Sequence, residues 1–259
     1  MGAAILGEDQ TLLAATPMQI IPVLDILDGS VVRGVAGKRE TYRPVESVLA
    51  DSALPLDVAR GFRDQLGLNR LYLADLDGIV HGRPNRQLWR ELADEGFELL
   101  VDAGVKTVAD ARQVYDSGAA AAIVALETSP AREMIAELTT NYGPPRVIFS
   151  LDLKQGRPMG TLDQWADPAP FDLAVEAVGL GIEQMIVLDL AWVGTGEGLA
   201  TEQLCRRLLE RFSQLKVITG GGIRGPGDLP LAQSIGVHGL LVASALNSGR
   251  IDSRAIEAL

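Results

Sequence analysis

From Gln19 onward the chain alternates two hydrophobic patterns. Short, nearly unbroken apolar runs occupy 19–25 (QIIPVLD), 70–75 (RLYLAD), 97–103 (FELLVDA), 120–126 (AAAIVAL), 146–152 (RVIFSLD), 184–189 (QMIVLD), 215–220 (LKVITG) and 237–243 (VHGLLVA). Runs apolar on both alternating positions fit strands covered on both faces, as in a parallel sheet. Between them lie amphipathic stretches at 55–67, 84–96, 107–118, 130–141, 171–181, 201–212 and 226–236, with a last one at Arg250–Leu259. Several open on Pro, Thr or Asp and close on Gly or Asn, as helix ends prefer. Eight strands alternating with eight helices in 259 residues predict an α/β fold, a single (β/α)8 TIM barrel. A doubly wound open sheet is the alternative arrangement. No Pro/Ser-rich linker divides the chain, so 18–259 is expected to be one domain and 1–17 a short N-terminal extension.

The strand ends repeat. Asp25, Asp75, Gly104 and Val124 close their runs in the first half, and Asp152, Asp189, Gly222 and Val242 close theirs, in the same order, in the second. Chance alignment of apolar strands does not usually place Asp, Asp, Gly and a small residue on corresponding strands. The expectation is a duplication of half-barrels, about 18–143 and 144–259.

In such a barrel the carboxyl ends of the strands face the reaction site. Asp25 and Asp152, on strands one and five, then confront each other across a ligand, an arrangement suited to one general acid and one general base. The plainer reading of each, an Asp capping the following loop, is weakened by their symmetric recurrence. Loops after strands seven and eight commonly hold phosphate on bare backbone N–H groups. The candidates are Gly221 and Gly222 in ITGGGIRG, with Ala243 and Ser244 opening a short helix. The corresponding first-half loops read Val101-Asp102-Ala103-Gly104 and Ala125-Leu126-Glu127. An acidic, bulkier loop is a poor cradle for an anion, so one phosphate site is expected, not two.

Composition narrows the classes. Net charge is −11, against the positive surface that nucleic acid or an anionic membrane requires. No apolar run reaches the roughly 20 residues of a membrane span, and the N-terminal stretch lacks the features of a signal peptide. A cytoplasmic protein is expected. One cysteine, Cys205, and two histidines leave little for a metal site, so neither metal nor cofactor is expected, and the partner is a small sugar-phosphate-type ligand. Cys205 sits in a helical run and reads as a packed thiol.

In order, IIPVLDILDGSVVRG, DLDGIVHGRPN, FSLD, LDL…GTGEG, ITGGGIR and LLVASAL resemble the histidine-biosynthesis barrels, over about Met18 to Leu246. That family includes the isomerase of phosphoribosylformimino-5-aminoimidazole carboxamide ribotide and the cyclase subunit of imidazole glycerol phosphate synthase. DLDG…GRPN is more like the isomerase; DILDGSVVRG leans to the cyclase, with Arg33 where the cyclase carries a lysine. The resemblance implies a duplicated barrel, Asp25 and Asp152 as catalytic aspartates, and phosphate loops at Gly221–Gly222 and Ala243–Ser244. It also implies a metal-free, cofactor-free Amadori rearrangement that turns an N-linked aldose phosphate into an aminoketose phosphate. Arg33, Asp75, Gly104, Asp189 and Thr195 are further candidate substrate contacts.

Departures from the isomerase pattern are specific. Leu188 stands where the isomerase has a threonine, Val193 where it has a loop aspartate, and Asp102-Ala103-Gly104 where it has a glycine run. They fit a divergent paralogue acting on another, singly phosphorylated metabolite, with one-carbon cofactor metabolism one setting in which such relatives occur. A cyclase-like lyase and a non-catalytic ligand-binding barrel are the competing classes. Arg33 and the acidic first-half loop argue against the lyase, and the intact Asp25 and Asp152 argue against the binding barrel.

Overall fold

The computed structural model describes residues 17–166 and 168–259; the expected extension, apart from Pro17, lies outside them. Eight strands form the barrel: β1 (Gln19–Leu27), β2 (Arg70–Asp75), β3 (Glu98–Asp102), β4 (Ala121–Ala125), β5 (Val147–Lys154), β6 (Gln184–Asp189), β7 (Lys216–Gly220) and β8 (Gly239–Val242). Each pairs in parallel with its neighbour, and β8 returns to β1 with Gln19–Pro22 against Gly239–Val242. The sheet is closed, as eight strands alternating with helices predicted, and the open doubly wound alternative is excluded.

The outer helices are α1 (Pro55–Leu66), α2 (Arg86–Asp94), α3 (Val108–Asp116), α4 (Arg132–Tyr142), α5 (Pro170–Gly179), α6 (Glu202–Arg211), α7 (Leu229–Ile235) and α8 (Ser253–Glu257). Local chemistry sets their ends. Proline opens α1 and α5, where a missing N–H costs nothing. Thr107 and Asp110 form a reciprocal capping box on α3, and Gly67 ends α1 in the left-handed conformation at φ +70°.

Closure divides the core in two. Outward-facing strand residues such as Leu24, Leu73, Phe149 and Val187 pack against the helices, with Phe62, Trp89 and Leu92 from α1 and α2. Inward-facing Ile21, Tyr72, Leu100, Ile123, Ile148, Ile186, Ile218 and Leu241 fill the barrel itself. This is why the strands read as continuous apolar runs: both alternating sets are buried. Filling is tight enough to require glycine at Gly239, where a Cβ would come within 2.8 Å of Ile21 Cδ1. Cys205 is fully buried on α6, as its sequence context indicated. Among the described residues no helix is long and apolar enough to cross a membrane.

Two additions to the eight-fold pattern shape the site. β1 and β5 run past the barrel rim and turn back as hairpins through Asp28-Gly29 (φ +49° and +76°) and Gln155-Gly156 (φ +53° and +74°). Successive left-handed residues make the tight turn whose twist suits a two-residue hairpin. The return strands are Ser30–Arg33 and Arg157–Pro158. The hairpins were not expected as elements, although Asp-Gly and Gln-Gly between extended residues signalled both turns.

Candidate active site

A cavity opens at the carboxyl ends of the strands, and its walls collect most of the residues singled out from sequence. Asp25, Asp152, Arg33, Thr195, Gly221, Gly222, Ala243 and Ser244 all line it. Asp75, Gly104 and Asp189, expected as substrate contacts, do not. Asp75 is buried beside the cavity and accepts from the N–H groups of Gly78 (2.9 Å) and Asn85 (2.6 Å) and from Trp89 Nε1 (3.1 Å). It caps the short helix Leu76–His81 and ties it to α2. Asp189 accepts from Gln155, Gly156 and Ala191 N–H at 3.0, 2.7 and 3.0 Å, fixing the β5 hairpin turn and its own loop. Gly104 sits at φ +71°, and a Cβ there would lie 3.0 Å from Ile79 Cα. For these three, strand-end chemistry serves loop architecture.

Asp25 and Asp152 are held differently. Asp152 is 5% exposed; its carboxylate accepts from Ser150 Oγ at 2.7 Å and Glu127 N–H at 3.1 Å. Burial pushes its pKa up from 3.8 to about 7, opposed by the Ser150 hydroxyl and reinforced by the charge of Asp102. Asp25 keeps partial exposure, and its carboxylate has no hydrogen-bond partner among the described residues. Desolvation raises its pKa to about 7, with the Arg39 cation pulling down and Asp102 pushing up. The hairpin folds onto it: a Cβ at Gly34 would stand 2.7 Å from Asp25 Oδ2. The glycine after the return strand therefore leaves room for the carboxylate.

Several lining residues were not singled out as contacts. Asp102 projects into the cavity from β3, is 6% exposed, and accepts from Tyr72 Oη at 3.3 Å and Gly104 N–H at 3.2 Å. Desolvation raises its pKa to about 6. In the sequence it looked like damage to a phosphate loop; in the fold it faces inward from the strand end. Arg39, after the β1 hairpin, grips Glu127 with two hydrogen bonds of 2.8 and 2.9 Å. Nothing local in the sequence pairs those residues, which are brought together only by barrel closure. Leu188 and Val193, the departures noted above, are apolar wall. Among the described residues no group of three or more His, Cys, Asp or Glu side chains is placed to hold a metal ion.

The second-half loops are more open. Gly222 (φ +77°) is pressed against Gly198, whose carbonyl would lie 2.3 Å from an added Cβ. The N–H groups of Gly222 and of Ser244, the first residue of the short helix Ser244–Asn247, find no acceptor among the described residues.

Fold and site together define a (β/α)8 barrel with a cavity at its carboxyl end, lined by the carboxylates Asp25, Asp102, Glu127 and Asp152 and by glycine-bearing loops at 194–196 and 221–222. The model of the family described as histidine biosynthesis protein matches residues 19–252, and the chain belongs to that family. It is 32% identical over 242 residues to an uncharacterized protein of Methanocaldococcus jannaschii, covering 92% of this chain and 97% of that one. It is 32% identical over 251 residues to the 1-(5-phosphoribosyl)-5-((5-phosphoribosylamino)methylideneamino)imidazole-4-carboxamide isomerase of Synechococcus sp., covering 93% and 94%. The isomerase of that name from Methanoregula boonei is 31% identical over 245 residues, covering 93% and 99%.

Proposed function

We propose that this chain is an aldose–ketose isomerase that carries out an Amadori-type rearrangement of a phosphorylated N-ribosyl compound, with Asp25 and Asp152 as the acid–base pair. The observation that carries the reading is the state of those two carboxylates. They line one cavity from different strands, and each is lifted to about 7. Near neutral pH each carboxyl is then available in both its protonated and its ionised form, so one can act as acid while the other acts as base.

The chemistry balances on these two groups. The protonated carboxyl gives its proton to the ring oxygen, the C1–O bond breaks, and the nitrogen lone pair forms the C1=N iminium. The ionised carboxylate takes the C2 proton, and the C2–H electron pair forms the enolamine. Ketonisation returns a proton to C1 and leaves the C2 carbonyl. Gly221, Gly222, Ala243 and Ser244 are read as the phosphate grip, since Gly222 and Ser244 present N–H groups with no acceptor among the described residues. The two half-barrels, 18–143 and 144–259, are read as duplicates, because both acid–base strands end in the same kind of hairpin.

A divergent substrate is the second reading, and a specific observation favours it. On the first-half side, the Gly104 and Glu127 N–H groups bond to Asp102 and Asp152, so the backbone donors a second phosphate would use are engaged. That supports a singly phosphorylated ligand. Complementation of a histidine auxotroph lacking the isomerase separates the readings. Growth with the parent chain, and not with Asp25→Asn or Asp152→Asn, supports the histidine-pathway substrate. Absence of growth despite folded protein rejects that substrate and favours a divergent substrate or a non-catalytic ligand-binding barrel.

A further inference from the structure

Asp102 is the residue for which the acid–base reading has no use. It occupies the strand-end place that Gly220 holds on β7, where a side chain is sterically barred: a Cβ at Gly220 would meet Leu241 Cβ at 2.7 Å. On β3 the position is open, and the side chain placed there is a carboxylate that reaches the cavity. Its contacts leave it charged rather than neutralised, because Tyr72 Oη and Gly104 N–H are neutral donors. The neighbouring cation, Arg39, is held by both oxygens of Glu127. The carboxylate of Asp25, on the same cavity, has no hydrogen-bond partner among the described residues. Asp25, Asp102 and Asp152 are not placed to hold a metal ion together. Around the cavity the carboxylates Asp25, Asp102, Glu127 and Asp152 outnumber the cations Arg33, Arg39 and Arg250, and the loops after β7 and β8 add the backbone N–H groups of Gly222 and Ser244.

Buried charge of one sign calls for its complement from whatever enters. We propose that Asp102 is a specificity-determining residue of this cavity, selecting a ligand that carries a protonated nitrogen at the end remote from its phosphate. The inference rests on the reading of the Gly222 and Ser244 loops as the phosphate grip. It adds to that reading a ligand class, aminated monophosphates, and a reason for Asp102. An anion at this end is repelled by Asp102 and Glu127, whereas an ammonium or amidinium donates to Asp102 and to the unpartnered Asp25.

The test uses flexible probes whose length can be varied. Calorimetric affinities are compared for 2-aminoethyl, 3-aminopropyl and 4-aminobutyl phosphate and for the hydroxyalkyl phosphates of the same lengths, at about pH 7.5, with inorganic phosphate as competitor. The expected result is an advantage of about tenfold or more for the amine at one length or more, the scale of a hydrogen bond between charged groups. Asp102→Asn, or Asp102→Ser if the first variant does not fold, removes that advantage by bringing the amine affinity down to that of the hydroxyalkyl phosphate of the same length, whereas a merely structural role for Asp102 would weaken both series alike. Equal affinity of both series at every length in the parent chain overturns the inference while leaving the phosphate grip intact. So does an amine preference that survives in the variants. If neither series nor inorganic phosphate binds, the phosphate reading itself fails, and the ligand class falls with it.

Discussion

Asp152→Asn should stabilise the protein more as pH rises, and the magnitude follows from the site. Burial holds the native Asp152 carboxyl at about 7 against an ordinary 3.8, so the folded state binds the proton more tightly than the unfolded chain. Below about pH 3.8 both states are protonated and the group is neutral to stability; as pH rises toward 7, unfolding releases a proton and becomes easier. Stability is lost across that window and does not return above it. The rise from 3.8 to about 7 corresponds to about 4 kcal/mol in all, of which about 2–3 kcal/mol falls between pH 5 and pH 7.5. Asparagine has no proton to release, so this pH-dependent part vanishes in the variant. Asparagine also rearranges the bonds from Ser150 and Glu127, but that change is nearly constant with pH, which makes the slope the clean readout. Urea unfolding of parent and variant at several pH values measures it. The stability difference, variant minus parent, should grow by about 2–3 kcal/mol between pH 5 and pH 7.5. A flat difference, or one that shrinks with pH, refutes the claim that burial raises Asp152. The same variant should lose isomerase turnover, so stability and activity move in opposite directions, as at sites strained for function.

Ser150→Ala removes the hydroxyl that donates to Asp152 at 2.7 Å; loss of a bond to a charged group should raise the Asp152 pKa by about one unit, read by carboxyl carbon NMR. An unchanged or lower value would mean the hydroxyl does not hold the ionised form. Gly34→Ala puts a methyl 2.7 Å from Asp25 Oδ2 and should reduce kcat at least about tenfold while the fold survives, because displacing a reacting group by about 1 Å is costly; parent-like kcat would remove Asp25 from the chemistry. Asp75→Ala strips three donors of their acceptor and should cost about 2–5 kcal/mol in denaturant unfolding. The folded fraction should retain parent-like kcat, and a specific loss of turnover would return Asp75 to the site.

The eight-fold alternation was legible in the sequence because it rests on burial of both strand faces, a property each segment carries in its own composition. The acid–base candidates were visible because strand order and strand-end position place Asp25 and Asp152 at one mouth without detailed packing. What the sequence could not decide is which strand-end carboxylates reach that mouth. Asp75 and Asp189 resemble Asp25 and Asp152 in every local respect, yet their oxygens meet loop N–H groups contributed by Asn85, Gln155 and Gly156. Asp102 was legible only as an acidic residue in a poor phosphate loop; that its carboxylate also faces the cavity beside Tyr72 came from the fold. The Arg39–Glu127 pair joins residues on loops after β1 and β4. Strand periodicity is encoded over a few residues; the direction in which a side chain finds its partners depends on loops brought together by barrel closure, and only the tertiary structure holds that information.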